Sequence, residues 1–237
     1  MAKKQDIIFV SSLMLVVLPF LLSGKPYELY ADMNNAYPFS LAALKFAVLA
    51  TLGEMIGQRI KSGRYITPGF GVMPRAILWG VYGVWIAIMM KVLAVGIPQI
   101  VESMGAEGVV GAMAGSEITF KKFLGALSIS LAMNLSFAPI FMTLHKITDT
   151  HILEQRGSIR ALITPVPMRR IFNSLDWDVQ WNFIFKKTIP LFWIPAHTVT
   201  FMLPGSSQVL FAAALSILLG VILSIGVALS AKKEKNI

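Results

Sequence analysis

Long apolar stretches alternate with shorter polar ones along this chain, and six of them have about the length of a membrane-crossing helix. They cover residues 7–23, 39–57, 76–95, 123–144, 188–203 and 209–229. A helix that crosses ~30 Å of hydrocarbon needs about 20 mostly apolar residues, because its backbone groups have no water to bond. The pattern therefore predicts an all-α fold, a polytopic membrane helical bundle of about six transmembrane helices. Since no linker divides the chain, we expect residues 1–237 to form a single transmembrane domain.

The fifth stretch differs from the others because it is short and contains Pro190, Pro195 and His197. Proline has no amide hydrogen and clashes with the preceding helical turn, so we expect this span to be kinked, tilted or partly unwound. Pro204 and Gly205 follow it and favour a tight turn. The last two spans are therefore expected to form an antiparallel pair.

Lysine and arginine are concentrated in every second connection between the spans. Of the 21 basic residues, 16 precede span one, follow span six, or lie between spans two and three or four and five. This alternation follows the positive-inside rule and predicts that both termini are cytoplasmic. The net charge of +9 is explained by this orientation, so we expect no nucleic-acid partner.

The first stretch follows Lys3 and Lys4, a pattern that a signal peptide shares. Residues 23–26 are a poor cleavage site because they lack a small-x-small pair, so an uncleaved first helix is favoured and cleavage near residue 24 is the alternative. No arginine-rich and serine-rich import sequence is visible. We therefore expect a bacterial-type plasma (inner) membrane, with a mitochondrial inner or peroxisomal membrane as the alternative.

Composition supports a membrane protein and restricts its chemistry. Charged residues make up 14% of the chain and the mean hydropathy is +0.70, whereas a soluble domain has about 25% charged residues. The chain has no cysteine, which excludes thiolate nucleophiles and disulfides. The motifs of zinc proteases, serine hydrolases and nucleotide-binding loops are absent from the sequence. We therefore predict no enzyme activity, no catalytic residue, no metal site and no cofactor.

Charged and polar residues near the inner end of span two are the first functional candidates, because such groups are costly in lipid. Glu54 and Gln58 lie one turn apart on the same helical face. Arg59 and Arg75 are close enough in depth to neutralise Glu54. A structural ion pair is the favoured interpretation, and a polar pore lining is the alternative.

The second group of candidates falls near the middle of the membrane. Asn134 lies midway along span four, and His197 lies midway along span five with Thr198 and Thr200 beside it. A buried histidine is most often a satisfied hydrogen-bonding residue. Polar side chains and freed carbonyls in a proline-broken helix also line water paths in membrane bundles. Because histidine titrates near neutral pH, His197 is the best candidate for a conducting or sensing element.

Several short motifs suggest a family. Residues 53–58 are G-E-M-I-G-Q, residues 121–124 are K-K-F-L, residues 137–141 are F-A-P-I-F, and residues 193–195 are W-I-P. In order and spacing they resemble the motifs G-D-x-x-x-Q, K-K-x-L, F-A-P-x-F and W-P of the Mpv-seventeen / peroxisomal-membrane-protein-twenty-two family. The resemblance covers about residues 39–224 and implies a multi-span bundle for which channel activity has been proposed.

The chain also departs from that family at several positions. Met89 and Met90 stand where the family has W-Y, Asn134 stands at the Gln of its D-Q pair, and Gln208 replaces its arginine. A gating role at those positions does not transfer to this chain.

Together these features predict a small channel or facilitator for ions or small solutes, embedded in the lipid bilayer. The alternative is a non-conducting scaffold whose cytoplasmic loop 145–187 binds partners. Trp177 and Trp181 in that loop lie four residues apart and favour an interfacial helix over a docking site. The solute, the gating signal and the oligomeric state, with a homo-oligomer as one option, are not determined by the sequence.

Overall fold

The computed structural model describes residues 5–7, 9, 11, 24–205, 207–215, 217 and 218. These residues form helices and connections, and no β-strand is found among them. The chain divides into two compact units, residues 1–41 and 42–237. Predicted span one and the second half of predicted span six lie mostly outside the described residues.

The first unit contains helix α1 (Gly24–Ala36) and the start of helix α2 (Pro38–Ser62). Helix α1 occupies a segment in which the sequence suggested only a connection between spans. Its charged side chains, Lys25, Glu28 and Asp32, are exposed.

The second unit contains the rest of α2 and the longest helices. They are α3 (Val72–Ser103), the short α4 (Val109–Ala114), α5 (Phe120–Ala132), a π-turn (Met133–Phe137) and α6 (Ala138–Glu154). The last three are continuous and form one helix of 35 residues. This helix, α2 and α3 are long and apolar enough to cross a membrane, and they contain predicted spans two, three and four. All three helices are longer than the predicted spans. The polar residues that flank each apolar stretch are also compatible with a helix, so the helix continues through them.

The chain continues as a 3₁₀ turn (Ile159–Leu162), α7 (Met168–Ser174), a π-helix (Val179–Trp193) and α8 (Ile194–Met202). Predicted span five lies within these last two elements, which are not among the three long apolar helices. At Pro190 the helix is widened into π geometry rather than unwound, and Pro195 stands in the first turn of α8, where proline is tolerated.

Helices α2 and α3 approach each other closely at two glycines of α3. A Cβ atom added to Gly83 would lie 2.6 Å from the Cβ of Phe46 and 2.8 Å from the carbonyl oxygen of Ala42. One turn earlier, Gly80 faces the backbone of Ala43. In lipid, helices associate through such close contacts between small residues and a partner backbone.

Apolar residues occupy both the interior and much of the outside of the long helices. The buried core of the second unit includes Phe46, Ile86, Ile129, Phe137, Phe141 and Phe201. Large apolar side chains also face outward, among them Val81, Leu135 and Ile140 with 60%, 66% and 59% of their surface exposed. An apolar exterior is what a helix in contact with lipid tails requires.

The connections between these helices lie at opposite ends of α3. Gly71, just before α3, and Gly157, just after α6, both have positive φ and pack so closely that a Cβ on Gly71 would lie 2.7 Å from the Cα of Gly157. At the other end of α3, the Glu102 carboxylate accepts a hydrogen bond of 2.8 Å from the amide of Val110 in α4. Helices α3 and α6 therefore run antiparallel, with residues 63–71 and 155–158 at the same end.

Candidate functional site

Two polar clusters lie along the 35-residue helix Phe120–Glu154, one half-buried around the buried Arg75 and one fully buried. The carboxylate cluster consists of Glu54, Arg75, Trp79, His145 and Asp149. The mid-helix cluster consists of Ser130, Asn134 and His197.

The carboxylate cluster is organised around Arg75, whose side chain is only 4% exposed. Its Nη1 donates a hydrogen bond of 2.5 Å to Glu54 Oε2 and also forms an ion pair with Asp149. Its Nε donates to the carbonyl oxygen of Phe70 at 2.6 Å. One guanidinium from α3 therefore neutralises carboxylates from both α2 and α6, in the hydrogen-bonded form that makes buried charges tolerable.

The second carboxylate oxygen of Glu54 is also fully used. Glu54 Oε1 accepts hydrogen bonds from Trp79 Nε1 at 2.9 Å and from His145 Nε2 at 3.0 Å. Because an ionised carboxylate can only accept, the hydrogen of this contact belongs to His145 Nε2. The side chains of His145 and Glu54 are 25% and 19% exposed, so both are half-buried at the edge of the bundle.

Helical spacing brings these residues together. Arg75, Trp79 and Tyr82 follow one another at intervals of four and three residues on α3, which places them on one face. His145, Thr148 and Asp149 share a face of α6 by the same spacing. The hydroxyl groups of Tyr82 and Thr148 join the two faces with a hydrogen bond of 2.8 Å.

The space enclosed by the carboxylate cluster is small. It is lined by Glu54, Arg75, Leu78, Trp79, Tyr82, His145, Thr148, Asp149 and Ile152. A water-sized sphere can occupy about 10 Å³ of it, and a single water molecule needs about 10–15 Å³. This cavity therefore has room for about one water molecule.

The mid-helix cluster connects the π-turn to α8. Asn134 Nδ2 donates to the carbonyl oxygen of Ser130 at 2.9 Å and to His197 Nδ1 at 3.0 Å. A carbonyl oxygen can only accept a hydrogen bond, so the NH₂ group of Asn134, and not its oxygen, must face the carbonyl of Ser130. His197 Nδ1 is then the acceptor, and the ring hydrogen lies on Nε2. The hydroxyl of Ser130 donates to the carbonyl of Ile194 at 2.7 Å and adds a second bond between the two helices.

Two buried polar atoms in and beside this cluster have no hydrogen-bond partner among the residues that the structure describes. They are Asn134 Oδ1, an acceptor, and Trp193 Nε1, a donor. The ring of Trp193 lies 5.0 Å from that of His197. Asn134 belongs to the π-turn and Trp193 ends the π-helix, and π segments are frequent at functional sites. A water molecule or a small polar solute would satisfy these atoms.

Aromatic side chains separate the two clusters. Phe137 and Phe141 stack with ring centres 5.6 Å apart, and Phe141 stacks on His145 at 6.3 Å. Trp85 of α3 packs edge-on against Phe137 at 4.7 Å. Asn134 and His145 are separated by about 16 Å along the helix at ~1.5 Å per residue. An apolar partition therefore fills the interval between the two polar clusters.

The structure brings some of the sequence-derived candidates together and leaves others apart. Glu54 pairs with Arg75, whereas the guanidinium of Arg59 lies over the ring of Tyr65 at 5.8 Å. Gln58 is half-buried one turn beyond Glu54 and does not line the cavity.

Thr198 and Thr200 are buried, but each hydroxyl bonds to a carbonyl one turn earlier in its own helix. Thr198 bonds to the carbonyl of Ile194 at 2.8 Å, and Thr200 bonds to that of Ala196 at 2.9 Å. In this conformation they add no hydrogen bond to the mid-helix cluster.

Three of the five residues of the carboxylate cluster, Trp79, His145 and Asp149, are not among the sequence-derived candidates, and the last two were predicted to lie in a loop. Both lie on α6, because the helical pattern of span four continues to Glu154 without a proline or glycine. The four-residue spacing of His145 and Asp149 was the available signal. Within the described ranges, no group of three or more histidine, aspartate and glutamate side chains is arranged to hold a metal ion.

Comparison with protein-family models, with curated proteins and with solved structures finds no match to this chain. The resemblance to the Mpv-seventeen / peroxisomal-membrane-protein-twenty-two family therefore stays a prediction. What the chain does is inferred from the two clusters and the aromatic residues between them.

Proposed function

We propose that this chain is an integral membrane protein that acts as a small channel or facilitator for ions or small polar solutes. One observation carries the proposal. A half-buried and a fully buried polar cluster occur at different positions along one candidate membrane-crossing helix, with Phe137 and Phe141 between them. Polar groups inside a membrane mark solute and ion paths, and apolar constrictions close such paths by excluding water.

The orientation of the path follows from the charge pattern. The carboxylate cluster lies at the end of the bundle where the connections 63–71 and 155–158 meet, and these are the connections for which basic residues predict a cytoplasmic location. In the proposal this cluster forms the inner mouth, and the mid-helix cluster lies near the bilayer centre. A bacterial-type plasma membrane is the proposed location.

The described conformation corresponds to the closed state. The carboxylate cluster encloses room for about one water molecule, and the stacked rings of Phe137 and Phe141 fill the space above it. Opening requires these rings to move. The π-turn that begins at Met133 offers a place where the helix can change register, since a π-turn holds one extra residue relative to an α-turn.

Flux through proteoliposomes tests the proposal. The wild type, Phe141→Ala and Ile140→Ala are reconstituted, and the uptake of potassium, chloride and glycerol is followed by light scattering. Removing the Phe141 ring opens the partition, so Phe141→Ala should raise the flux of at least one solute above the wild type. Ile140 is a matched control, because it is adjacent in sequence but 59% exposed. No flux from either the wild type or Phe141→Ala would overturn the proposal.

A non-conducting scaffold is the second candidate. It is favoured by the many exposed apolar and basic side chains after α6, such as Ile163 with 84% of its surface exposed. The segment available for partners is shorter than the predicted loop 145–187, because residues 145–154 belong to α6 and His145, Thr148, Asp149 and Ile152 among them line the cavity of the carboxylate cluster. A scaffold predicts no flux in any variant, and it predicts that replacing residues 157–181 with a neutral linker abolishes its cellular role.

A further inference from the structure

The segment of residues 159–187, here called the aromatic–basic segment, exposes large apolar side chains next to cationic ones. Its exposed apolar side chains are Ile159, Ile163, Met168, Phe172, Val179, Trp181 and Phe183. Its exposed basic side chains are Arg160, Arg169, Arg170, Lys186 and Lys187. We propose that this segment binds the anionic headgroups of phospholipids in the leaflet that the charge pattern predicts to be cytoplasmic.

Two pairs of aromatic side chains contribute to the apolar surface of the segment. Phe172 and Trp177 lie 4.6 Å apart between ring centres, and Trp177 Nε1 donates to the carbonyl of Phe172 at 2.9 Å. Trp181 and Phe185 lie 5.8 Å apart. Aromatic rings with one polar edge are enriched at the boundary between lipid tails and headgroups.

The basic side chains beside these aromatic pairs can still bind an external anion. Lys186 Nζ donates one hydrogen bond to Asn182 Oδ1 at 3.2 Å, which leaves two of its three donor hydrogens. Within the described part of the chain, Arg169, Lys186 and Lys187 form no ion pair with a carboxylate. Arg170 differs, because both of its terminal nitrogens bond to Glu154, at 2.8 and 2.6 Å. Lys186 lies 5.9 Å from the centre of the Trp181 ring and thus combines a cation with an aromatic surface.

The acidic residues of the segment do not cancel this charge. Asp176 Oδ1 accepts a hydrogen bond from the amide of Val179 at 3.0 Å, and Asp178 Oδ1 accepts one from the side chain of Asn182 at 2.5 Å. Both carboxylates are therefore engaged at the start of the π-helix. These hydrogen bonds do not remove the charge of the aspartates, but two acidic residues against five basic ones leave the segment with a net charge of +3.

Position along the helix favours lipid over a protein partner. The π-helix continues without a break into α8, which carries His197. Lys186 and Lys187 precede His197 by eleven and ten residues, which is at most about 15 Å, because the α-helical rise is ~1.5 Å per residue and the π turns up to Trp193 are wider and rise less. Half of a ~30 Å hydrocarbon core is the same distance. With His197 at mid-membrane, both lysines lie at headgroup depth, where anionic lipids attract lysine and arginine.

Lipid selectivity of the full chain tests this inference. The protein is placed in nanodiscs of phosphatidylcholine mixed with phosphatidylglycerol, and the motionally restricted fraction of spin-labelled phosphatidylglycerol is compared with that of spin-labelled phosphatidylcholine. We expect preference for phosphatidylglycerol in the wild type. In Lys186→Gln/Lys187→Gln the preference at these lipid sites should fall about fivefold for each charge removed, and added salt should weaken it in the wild type.

The variant Lys91→Gln/Lys121→Gln is the matched control. It removes the same charge from two exposed lysines that lie toward the opposite end of the bundle, so it should retain most of the preference. An equal loss in both double variants would show unspecific attraction and overturn the inference. Absence of any preference in the wild type would also overturn it and would favour a protein partner. Neither result depends on solute flux, so the inference and the proposed channel fail separately.

Discussion

Glu54 on α2 and His145 on α6 are 91 residues apart in sequence and are joined by a hydrogen bond of 3.0 Å. The same carboxylate bonds to Arg75 on α3. Three long helices are therefore connected at one end through the single carboxylate of Glu54, which is 19% exposed. Such a contact stabilises the bundle only while the negative charges of Glu54 and Asp149 are balanced by the positive charge of Arg75.

Arg75→Met is expected to destabilise the protein strongly. The substitution leaves Glu54 and Asp149 as two neighbouring carboxylates without their cation, and breaking a buried ion pair from one side costs about 3–5 kcal/mol. Unfolding in detergent, followed by circular dichroism, measures the change in the free energy of unfolding.

Arg64→Met is the control for Arg75→Met, because Arg64 is exposed and should contribute little. The triple variant Glu54→Gln/Arg75→Met/Asp149→Asn removes the imbalance of charge and should recover part of the loss. A loss in Arg64→Met as large as that in Arg75→Met would contradict the importance of the cluster.

Gly83→Ala should destabilise the contact between α2 and α3. The added Cβ would meet the Cβ of Phe46 at 2.6 Å and the carbonyl of Ala42 at 2.8 Å, and neither atom is the end of a flexible side chain. Overpacking of this kind costs about 1–3 kcal/mol. Gly96→Ala on the same helix is a matched control, because no atom of the described residues, apart from its chain neighbours and its own helical backbone, lies within 4 Å of its Cβ position. Alanine there should stabilise the helix by up to ~1 kcal/mol, and the melting temperatures of the two variants should shift in opposite directions.

The positions of the three long helices could be predicted from the sequence, but their ends could not. Hydrophobicity locates the part of a helix that lies in lipid, and predicted spans two, three and four fall inside α2, α3 and the helix Phe120–Glu154. A helix continues past its apolar part as long as no residue stops it. For that reason α6 includes His145 and Asp149, which hydropathy alone assigns to a connection.

The candidate residues could be found from their depth within the predicted spans. Which of them contact each other could be seen only in the tertiary structure. Asn134 and His197 both lie at mid-span in sequence, yet only the packing of the π-turn against α8 brings them within 3.0 Å. The π geometry itself has no clear sequence signal. Pro190 indicates an irregular helix but does not distinguish a kink from a widened turn.

A double-mutant cycle on Asn134 and His197 measures their interaction. Asn134→Leu removes the donor to His197 Nδ1, and His197→Phe removes the acceptor while it keeps a ring against Trp193. Hydrogen bonds between membrane helices contribute about 0.6–2 kcal/mol, so the double variant should be less destabilised than the sum of the single variants by about that amount. Leu135→Ala, at a side chain 66% exposed, should show no coupling with His197→Phe. Additive effects for Asn134→Leu and His197→Phe would show that the contact contributes nothing.

Cysteine labelling tests the arrangement of the connections in a membrane. The chain contains no cysteine, so single substitutions at exposed positions give a clean background. The packing of Gly71 against Gly157 places residues 63–71 and 155–158 at one end of the helices, and α4 follows the other end of α3. In oriented vesicles, Ser62→Cys and Arg169→Cys should therefore react with an impermeant maleimide from the same side, and Glu107→Cys should react from the opposite side. If Arg169→Cys and Glu107→Cys reacted from one side, α3 and α6 could not both cross the membrane as the proposal requires.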